Sequence, residues 1–576
     1  MDANTPRRFR ESPFRSRGGR TGSTRAFVLI ALALLFADVS ALAATVHPDV
    51  RSFMDEAARA DRLPVIVRLG DREDLAQHRT GTRRARRRRL VRALRDRANR
   101  GQAPIRRLLR RAGYDGSKSI WSINAIAVEA GPRMLRRLST HPAVDRIDLD
   151  EVVTLQSGAS GAPSAPVEWN IDMVRADQVW SLGFEGDGVV IGVIDSGVDV
   201  SHPELAAAWR GGSNSWDDLV DNLPTPHDTG GGHGTQVAGL LVGGPVAGTH
   251  IGVAPSAQWI GVRAFDGAGN GLFSDLHLAL QWMLDPDGNS LTDDAPDVVN
   301  NSWGVNSSAG TCLTEFHADV DLLRAAGIGV VFSAGNTGPG ASTDVSPGND
   351  PDTFAVGAVD AAGQVPLFTA NGPSACDSSL FPNVSAPGVS VYTTDRLLLP
   401  PGYTTVSGTS FAAPHVSASM ALLWEAFPSA TLVELENVLE MTATDVALLG
   451  PDNYTGHGVV NARAALGLLV DTHGCPVGSY AVDTDTDGFA DACDTCTATA
   501  NSMQRDTDSD GFGNMCDGDF NQDLITNFGD LGAFASFFGT TDPDGDLNGD
   551  GAVNFGDLGV FITLFGLPPG PSGYDY

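Results

Sequence analysis

Three short strings constrain this chain more than any other feature: DSGVD at Asp195, GHGTQVAGL around His233 and SGTSFAAPHV around Ser410. Each sets one chemically active side chain beside glycine or another small residue, where a backbone can turn sharply between strand and helix. VVIGVID (Val189–Asp195) reads as a buried strand that ends at the acid, because a short apolar run bounded by turn residues suits a strand covered on both faces. His233 and Ser410 each open a helical pattern. Between Val167 and Val470 such apolar runs alternate with helical stretches. The region therefore predicts an α/β fold, a parallel sheet flanked by helices, with the three side chains at the carboxyl edge where sites form in such sheets.

A serine hydroxyl is a weak nucleophile until a neutral imidazole takes its proton, and a carboxylate holds that imidazole in the correct tautomer. Ser410 then reads as nucleophile, His233 as base and Asp195 as the orienting acid. The triad occurs on unrelated folds, each with its own chain order. With the order Asp, His, Ser and the three frames, the region from about Trp169 to Val470 resembles the subtilisin-like serine peptidases. The resemblance implies hydrolysis of polypeptide substrates through an acyl-enzyme. It assigns Asn336, in FSAGNTG, to the oxyanion hole, with the Ser410 backbone N–H as second donor. Gly408 and Pro414 around the nucleophile fit a tight turn feeding a helix. The resemblance also implicates Ser302, Trp303 and Gly304 of VVNNSWG in the wall of the first specificity pocket, and Phe273 of NGLFSD near a more distant one. Between those segments a peptide would add as a strand. Trp303 stands where relatives often carry a smaller apolar residue, so a packing role is the alternative. Glu204, in DVSHPEL, holds a position that in relatives often ligates structural calcium.

The 576-residue chain has room for several domains, and its formal net charge of −31 is unevenly divided. Residues 1–165 carry 32 Lys+Arg against 17 Asp+Glu, whereas residues 166–576 carry 7 Arg, no Lys and 53 acids. A basic segment can bind nucleic acid, but these arginines have another use and no nucleic acid is expected. Residues 45–160 read as a strand (Pro64–Leu69), a basic helical stretch (Arg79–Arg111) and a strand (Ser122–Ala130). Met134–Glu151 then supplies a helix, a turn at His141-Pro142 and a closing strand. This order resembles the α+β propeptide of the same peptidases, which implies a zymogen inhibited by its own propeptide, the arginines lying on an acidic enzyme surface. The small-residue string SGASGAPSAP (Ser157–Pro166) is loop-forming and is the expected site of maturation cleavage, with residues 161–168 as the linker and maturation region before a peptidase domain at 169–470.

Residues 1–44 read as a signal peptide: a basic stretch from Arg7 to Arg25, an apolar run Ala26–Ala37, and small residues at Ala41-Leu42-Ala43. A misassigned start or an uncleaved anchor is the alternative. The expected location is extracellular, free or attached to the cell surface. In an exported chain six cysteines favour disulfides. Cys312 and Cys376 stand alone, while Cys475, Cys493, Cys496 and Cys516 cluster. Zinc at the CxxC is disfavoured by the Asp-rich surroundings, which lack paired histidines.

The end of the chain is acidic and repetitive. DTDTDGFADACD supplies Asp483, Asp485, Asp487 and Asp491, and DTDSDGFGNMCD supplies Asp506, Asp508 and Asp510. Carboxylates two residues apart, then glycine, fold round a hard cation such as Ca2+. With the surrounding CPxG, DACDTC and MCD strings, residues 475–517 resemble thrombospondin type 3 repeats. That resemblance pairs Cys475 with Cys493 and Cys496 with Cys516, whereas four cysteines alone admit three connectivities. Two loops 27 residues apart follow, each leading into an apolar helix. Asp519, Asn521, Asp523, Asn527 and Asp530, then Asp546, Asn548, Asp550, Asn554 and Asp557, fall at EF-hand ligand positions, with Asp last where EF-hands prefer Glu. Residues 519–566 resemble a dockerin module, which implies a cohesin-like or cell-surface partner; 567–576 form a tail. Calcium accounts for the acidity, since adjacent carboxylates repel until a divalent ion neutralises them. Salt adaptation and a solvated acidic linker are the alternatives. At the level of function, a secreted endopeptidase with a docking tail stands against a catalytically inactive, calcium-dependent binding or structural protein on the same scaffold.

Overall fold

The computed structural model describes residues 44–78, 80–155, 168–396, 402–446, 448–475, 482–487, 489–501, 504–508 and 510–572. Apart from Ala44 and Glu168, the expected signal peptide and linker lie outside the described residues, as do residues 573–576 of the tail.

The N-terminal unit runs β1 (Thr45–Val46), α1 (Pro48–Glu56), β2 (Leu63–Leu69), α2 (Arg83–Arg111), β3 (Lys118–Ile120), β4 (Ala125–Ala130), α3 (Pro132–Ser139) and β5 (Val144–Leu149). Its sheet has the order β1-β5-β2-β4-β3. Alternation along β2 sends Val65, Val67 and Leu69 to a core with Ile105, Leu109 and Leu135, and Ile66 to the opposite face. That face and the first half of α2 (Leu90, Val91, Leu94) join one continuous core with the following domain. Two boundaries differ from the sequence reading, and three elements are added to it. The helix begins at Arg83 rather than Arg79, because the Thr82 hydroxyl accepts the Ala85 N–H as an N-cap. The strand begins at Ala125, after a left-handed turn at Asn124 (φ 53°). β1, α1 and β3 are additional elements.

The predicted charge pairing is present along α2. Arg83 meets Asp297, Arg87 meets Asp293 at 3.3 Å and Arg95 meets Asp285 at 2.7 Å. A short strand, β6 (Val152–Thr154), then leaves this unit for the next domain.

That domain is a seven-stranded sheet ordered β14-β13-β12-β11-β7-β9-β8, every pair parallel. Its strands are β7 (Val190–Asp195), β8 (Trp216–Asp218), β9 (Gln258–Arg263), β11 (Val298–Asn301), β12 (Gly329–Ser333), β13 (Phe354–Val359) and β14 (Val384–Pro387). Outside it lie β10 (Asn270–Leu272) and a hairpin of β15 (Val391–Thr394) and β16 (Tyr403–Val406). Valine-rich central strands suit a sheet covered on both faces. Helices α4 (His233–Val242) and α7 (Thr409–Ala426) belong to one core, α5 (Phe273–Leu284) and α6 (His317–Ala325) to the other. The Asp195, Asn301 and Ser333 ends of three neighbouring strands come out at one edge.

Beyond Ala462–His473 the described residues form small loop modules and two short α-helices, α8 (Phe528–Phe537) and α9 (Phe555–Leu564), packed through Phe534, Leu547, Val553 and Phe561. Disulfides join Cys312 to Cys376, Cys475 to Cys493 and Cys496 to Cys516. No helix among the described residues is long and apolar enough to cross a membrane.

Candidate active site

Asp195 closes β7 and is fully buried; His233 opens α4. Asp195 Oδ1 lies 2.8 Å from His233 Nδ1 and accepts the Ser196 N–H at 2.7 Å. Glycine at 234 permits this approach: a Cβ there would lie 2.1 Å from the Gly197 carbonyl oxygen and 2.9 Å from Asp195 Cβ. Burial opposes an imidazolium at His233, but the charge and hydrogen bond of Asp195, with the charge of Asp228, outweigh it and raise the pKa.

Asp228 is a residue the sequence reading passed over. Its Oδ1 accepts from Ser196 Oγ at 3.3 Å, and its Oδ2 accepts from Thr235 N–H at 3.2 Å and Thr235 Oγ1 at 2.8 Å. It thus ties the end of β7 to the first turn of α4. Burial, with the charge of Asp195, pushes its carboxyl up to about 6 against the hydrogen bonds from Thr235. An aspartate five positions before the histidine was the available signal.

Ser410 is the second residue of α7 and is buried. Its Oγ donates to the Ser302 carbonyl oxygen at 3.1 Å, and Ser302 Oγ donates to the Ser410 carbonyl at 2.6 Å. His233 Nε2 is buried with no hydrogen-bond partner among the described residues. The imidazole lies 5.3 Å from the ring of Phe411, the neighbour of Ser410. Asn336 Oδ1 accepts from Thr409 N–H and Thr409 Oγ1, both at 3.0 Å. Its Nδ2 lies 3.4 Å from where a Cβ on Gly408 would be. The amide donors therefore stand beside the nucleophile's turn.

A cavity of about 20 Å³ adjoins Ser410, with Ser302, Gly304, Asn336 and Val345 in its wall and Thr154 and Leu155 beside it. β6 pairs antiparallel with β10, Asn270 opposite Thr154. The Leu155 N–H donates to the Gly269 carbonyl at 2.8 Å and the Phe273 N–H to the Glu151 carbonyl at 2.9 Å. Ser302, Trp303 and Gly304 all line this cavity, while the rings of Trp303 and Phe273 also pack inward. Trp303 is 2% exposed, its ring packed edge-on against Phe316 and Phe332. Phe273 is equally buried, its ring 5.2 Å from Phe316, so its contribution beside β6 is a backbone N–H. Both rings are drawn into the apolar core between α5 and α6, where they bury more area than on a peptide groove.

Glu204 accepts from Val246 N–H at 3.2 Å, Ala247 N–H at 2.7 Å and the Tyr403 hydroxyl at 3.0 Å. Three protein donors therefore surround its carboxylate. In the tail, Asp483, Asp485 and Asp487 bring oxygens within 4.8 Å of one another, and so do Asp506, Asp508 and Asp510. Asp491 instead accepts from the Thr484 N–H and hydroxyl, at 2.7 and 2.5 Å. Burial and the charges of Asp510, Asp508 and Asp519 push Asp517 up to about 7. Crowded, oxygen-only donors of this kind fit calcium chemically.

The duplicated loops are near copies in structure. Asp530 accepts from Asn521 N–H (3.1 Å) and Asn527 N–H (2.8 Å), and Asp557 from Asn548 N–H (3.0 Å) and Asn554 N–H (2.8 Å). Asp519 accepts from Asp523 N–H at 3.1 Å and Asp546 from Asp550 N–H at 3.0 Å. Both last-position aspartates are fully buried.

Residues 186–458 match the family model described as the Subtilase family, Peptidase_S8. Bacillopeptidase F of Bacillus subtilis (strain 168) is 37% identical over 409 residues, 64% of this chain but only 28% of that protein. Subtilisin E of the same strain is 34% identical over 346 residues, covering 60% of this chain and 81% of the relative. A subtilisin of Bacillus pumilus is 35% identical over 302 residues, covering 52% and 98%. The sheet with its helices, the buried Asp195–His233 pair and these likenesses agree: the chain belongs to the subtilase family of serine peptidases.

Proposed function

We propose that the protein is a secreted serine endopeptidase made as a zymogen, with residues 45–160 as inhibitory propeptide and a calcium-binding C-terminal docking region. The observation that carries the reading is the antiparallel pairing of residues 152–155 with 269–273 beside Ser410, next to the Asp195–His233 bond. A strand so paired blocks the groove that a substrate would enter as an added strand.

In the proposed reaction the Ser410 hydroxyl turns from the Ser302 carbonyl toward His233 Nε2, which accepts its proton as the oxygen attacks the peptide carbonyl. The Ser410 N–H and Asn336 Nδ2 donate to the developing oxyanion. Asp195 holds the His233 tautomer and stabilises the imidazolium, which passes its proton to the leaving amine. Water then hydrolyses the acyl-enzyme by the same base. Calcium, when bound, would neutralise the aspartates of the 483–491 and 506–510 loops and of the two loops at 519–530 and 546–557. The module at 519–566 would meet a cohesin-like or cell-surface partner.

Replacing Ser410→Ala tests the reading. It abolishes both casein cleavage and self-maturation if the reading holds; retained cleavage overturns it. The alternative of an inert scaffold requires that a fluorophosphonate probe leave Ser410 unlabelled.

A further inference from the structure

We infer that Val345 closes the pocket receiving the residue on the acyl side of the cleaved bond, so that the enzyme selects glycine, alanine or serine there. The inference rests on the endopeptidase reading and names the substrate class of that site.

The two walls of the pocket continue neighbouring parallel strands. Ser302–Gly304 follows β11, and Gly335–Asn336 follows β12. Glycine at 304 and at 335 leaves a slot between them, and the Val345 side chain fills it. A Cβ on Gly304 would lie 2.9 Å from Val345 Cγ2, and one on Gly335 only 2.5 Å from the same methyl. The isopropyl group thus touches both walls. With Thr154 and Leu155 of the N-terminal unit in place, what remains next to Ser410 is about 20 Å³, room for about one water. An isobutyl or benzyl group entering between the two glycine walls meets the Val345 methyls, and none of the lining side chains is charged to attract an acid or a base.

Nor is the valine free to swing aside. It is fully buried, and the backbone on either side is pinned. Gly310 N–H donates to the Asp344 carbonyl at 2.9 Å, and Val305 N–H to the Ser346 carbonyl at 2.8 Å. Asp344 Oδ2 accepts from Ala375 N–H at 2.8 Å and Asn349 Nδ2 at 2.6 Å. The Cys312–Cys376 disulfide ties the flanking loops together. Close-packed interiors transmit such a clash rather than absorb it. The Trp303 ring is held beside this wall by edge-on contacts with Phe316 and Phe332.

The test uses protein expressed as the full chain and allowed to mature itself, and two peptides that differ only in alanine or phenylalanine before the cleaved bond. The expected kcat/KM favours alanine at least about tenfold. Val345→Gly raises kcat/KM for the phenylalanine peptide at least about tenfold, with Val345→Ala in between. Equal cleavage of the two peptides by the wild type overturns the inference. So does a folded, fluorophosphonate-labelled Val345→Gly protein whose phenylalanine rate is unchanged. Should Val345→Gly misfold, the wild-type ratio and Val345→Ala decide in the same way. A wild type that neither cleaves a peptide nor takes the probe overturns the endopeptidase reading, and the selectivity with it.

Discussion

The guanidinium of Arg68, on β2, donates to the carboxylate of Glu315, 247 residues further along and just ahead of α6. Arg68 also pairs with Asp148 at 3.2 Å, and Glu315 Oε1 lies 3.0 Å from His277 Nε2. His277 Nδ1 lies 2.7 Å from Asp319. A buried chain of alternating charge therefore runs from the N-terminal unit into the peptidase domain. Paired charges of this kind add little net stability, but removing one partner strands the other.

Arg68→Ala, placed in the Ser410→Ala zymogen so that self-cleavage does not intervene, is expected to destabilise the joined domains by roughly 3–5 kcal/mol. Glu315→Gln in the same background restores part of that loss, because the stranded charge is gone. Chemical denaturation of the four proteins of the cycle measures the coupling. Additive losses would show that Arg68 and Glu315 do not act as a pair.

His277 sets a pH limit on the same core. Burial opposes its charge, but Asp319 and Glu315 raise it to about 9, while Arg68 works in the opposite direction. A histidine whose folded pKa lies above the ordinary value contributes stability that is complete below about 6.5 and lost as pH rises through the folded value. Melting temperature should therefore fall between pH 6.5 and about 9. The loss is on the order of 3 kcal/mol. His277→Gln should flatten that slope; a wild type equally stable at pH 6 and pH 10 would contradict it.

What the sequence made legible follows from how local the physics is. Asp195, His233 and Ser410 each need a particular turn within a few residues, so each carries its own frame. The sheet was readable because buried strands such as Val298–Asn301 are apolar along their whole length. The direction of the Trp303 and Phe273 rings was not legible because backbone position and side-chain direction are separate matters, and Phe316, against which both rings pack, lies far from Phe273 in sequence. Asp228 was overlooked because its role depends on a bond to Ser196, across the gap between strand and helix. Val345 shows the same limit, since a valine among loop residues announces nothing until the two glycine walls meet it.

The acid limb of the pH–rate profile should lie above that of an ordinary histidine. His233 must be neutral to accept the Ser410 proton, and Asp195 and Asp228 hold its pKa up against burial. kcat/KM should therefore fall as pH drops through a midpoint above about 6.5. Asp228→Asn keeps an acceptor for Thr235 but removes a charge, so the midpoint should move to lower pH. A limb left in place by that substitution would show that Asp228 has no electrostatic hold on the base.

Removing calcium should act on the tail, and more strongly at high pH than at low. The core of residues 519–566 is small, centred on Phe534, Leu547, Val553 and Phe561, and the modules before it rely on disulfides and crowded acids. Burial, Asp510, Asp508 and Asp519 push Asp517 up to about 7, so without metal its charge disfavours the folded form. A carboxyl raised in this way makes the folded state gain stability as pH falls through about 7 toward the ordinary carboxylate range. Protonation then does part of what the cation does. In chelator, residues 475–572 should unfold at pH 8, losing the circular dichroism of α8 and α9 and becoming open to added protease, and should hold better at pH 5. Calcium restored at about a hundred times its dissociation constant should return about 2.7 kcal/mol. Spectra and digestion patterns unchanged by chelator at pH 8 would mean that these aspartates fold without a cation.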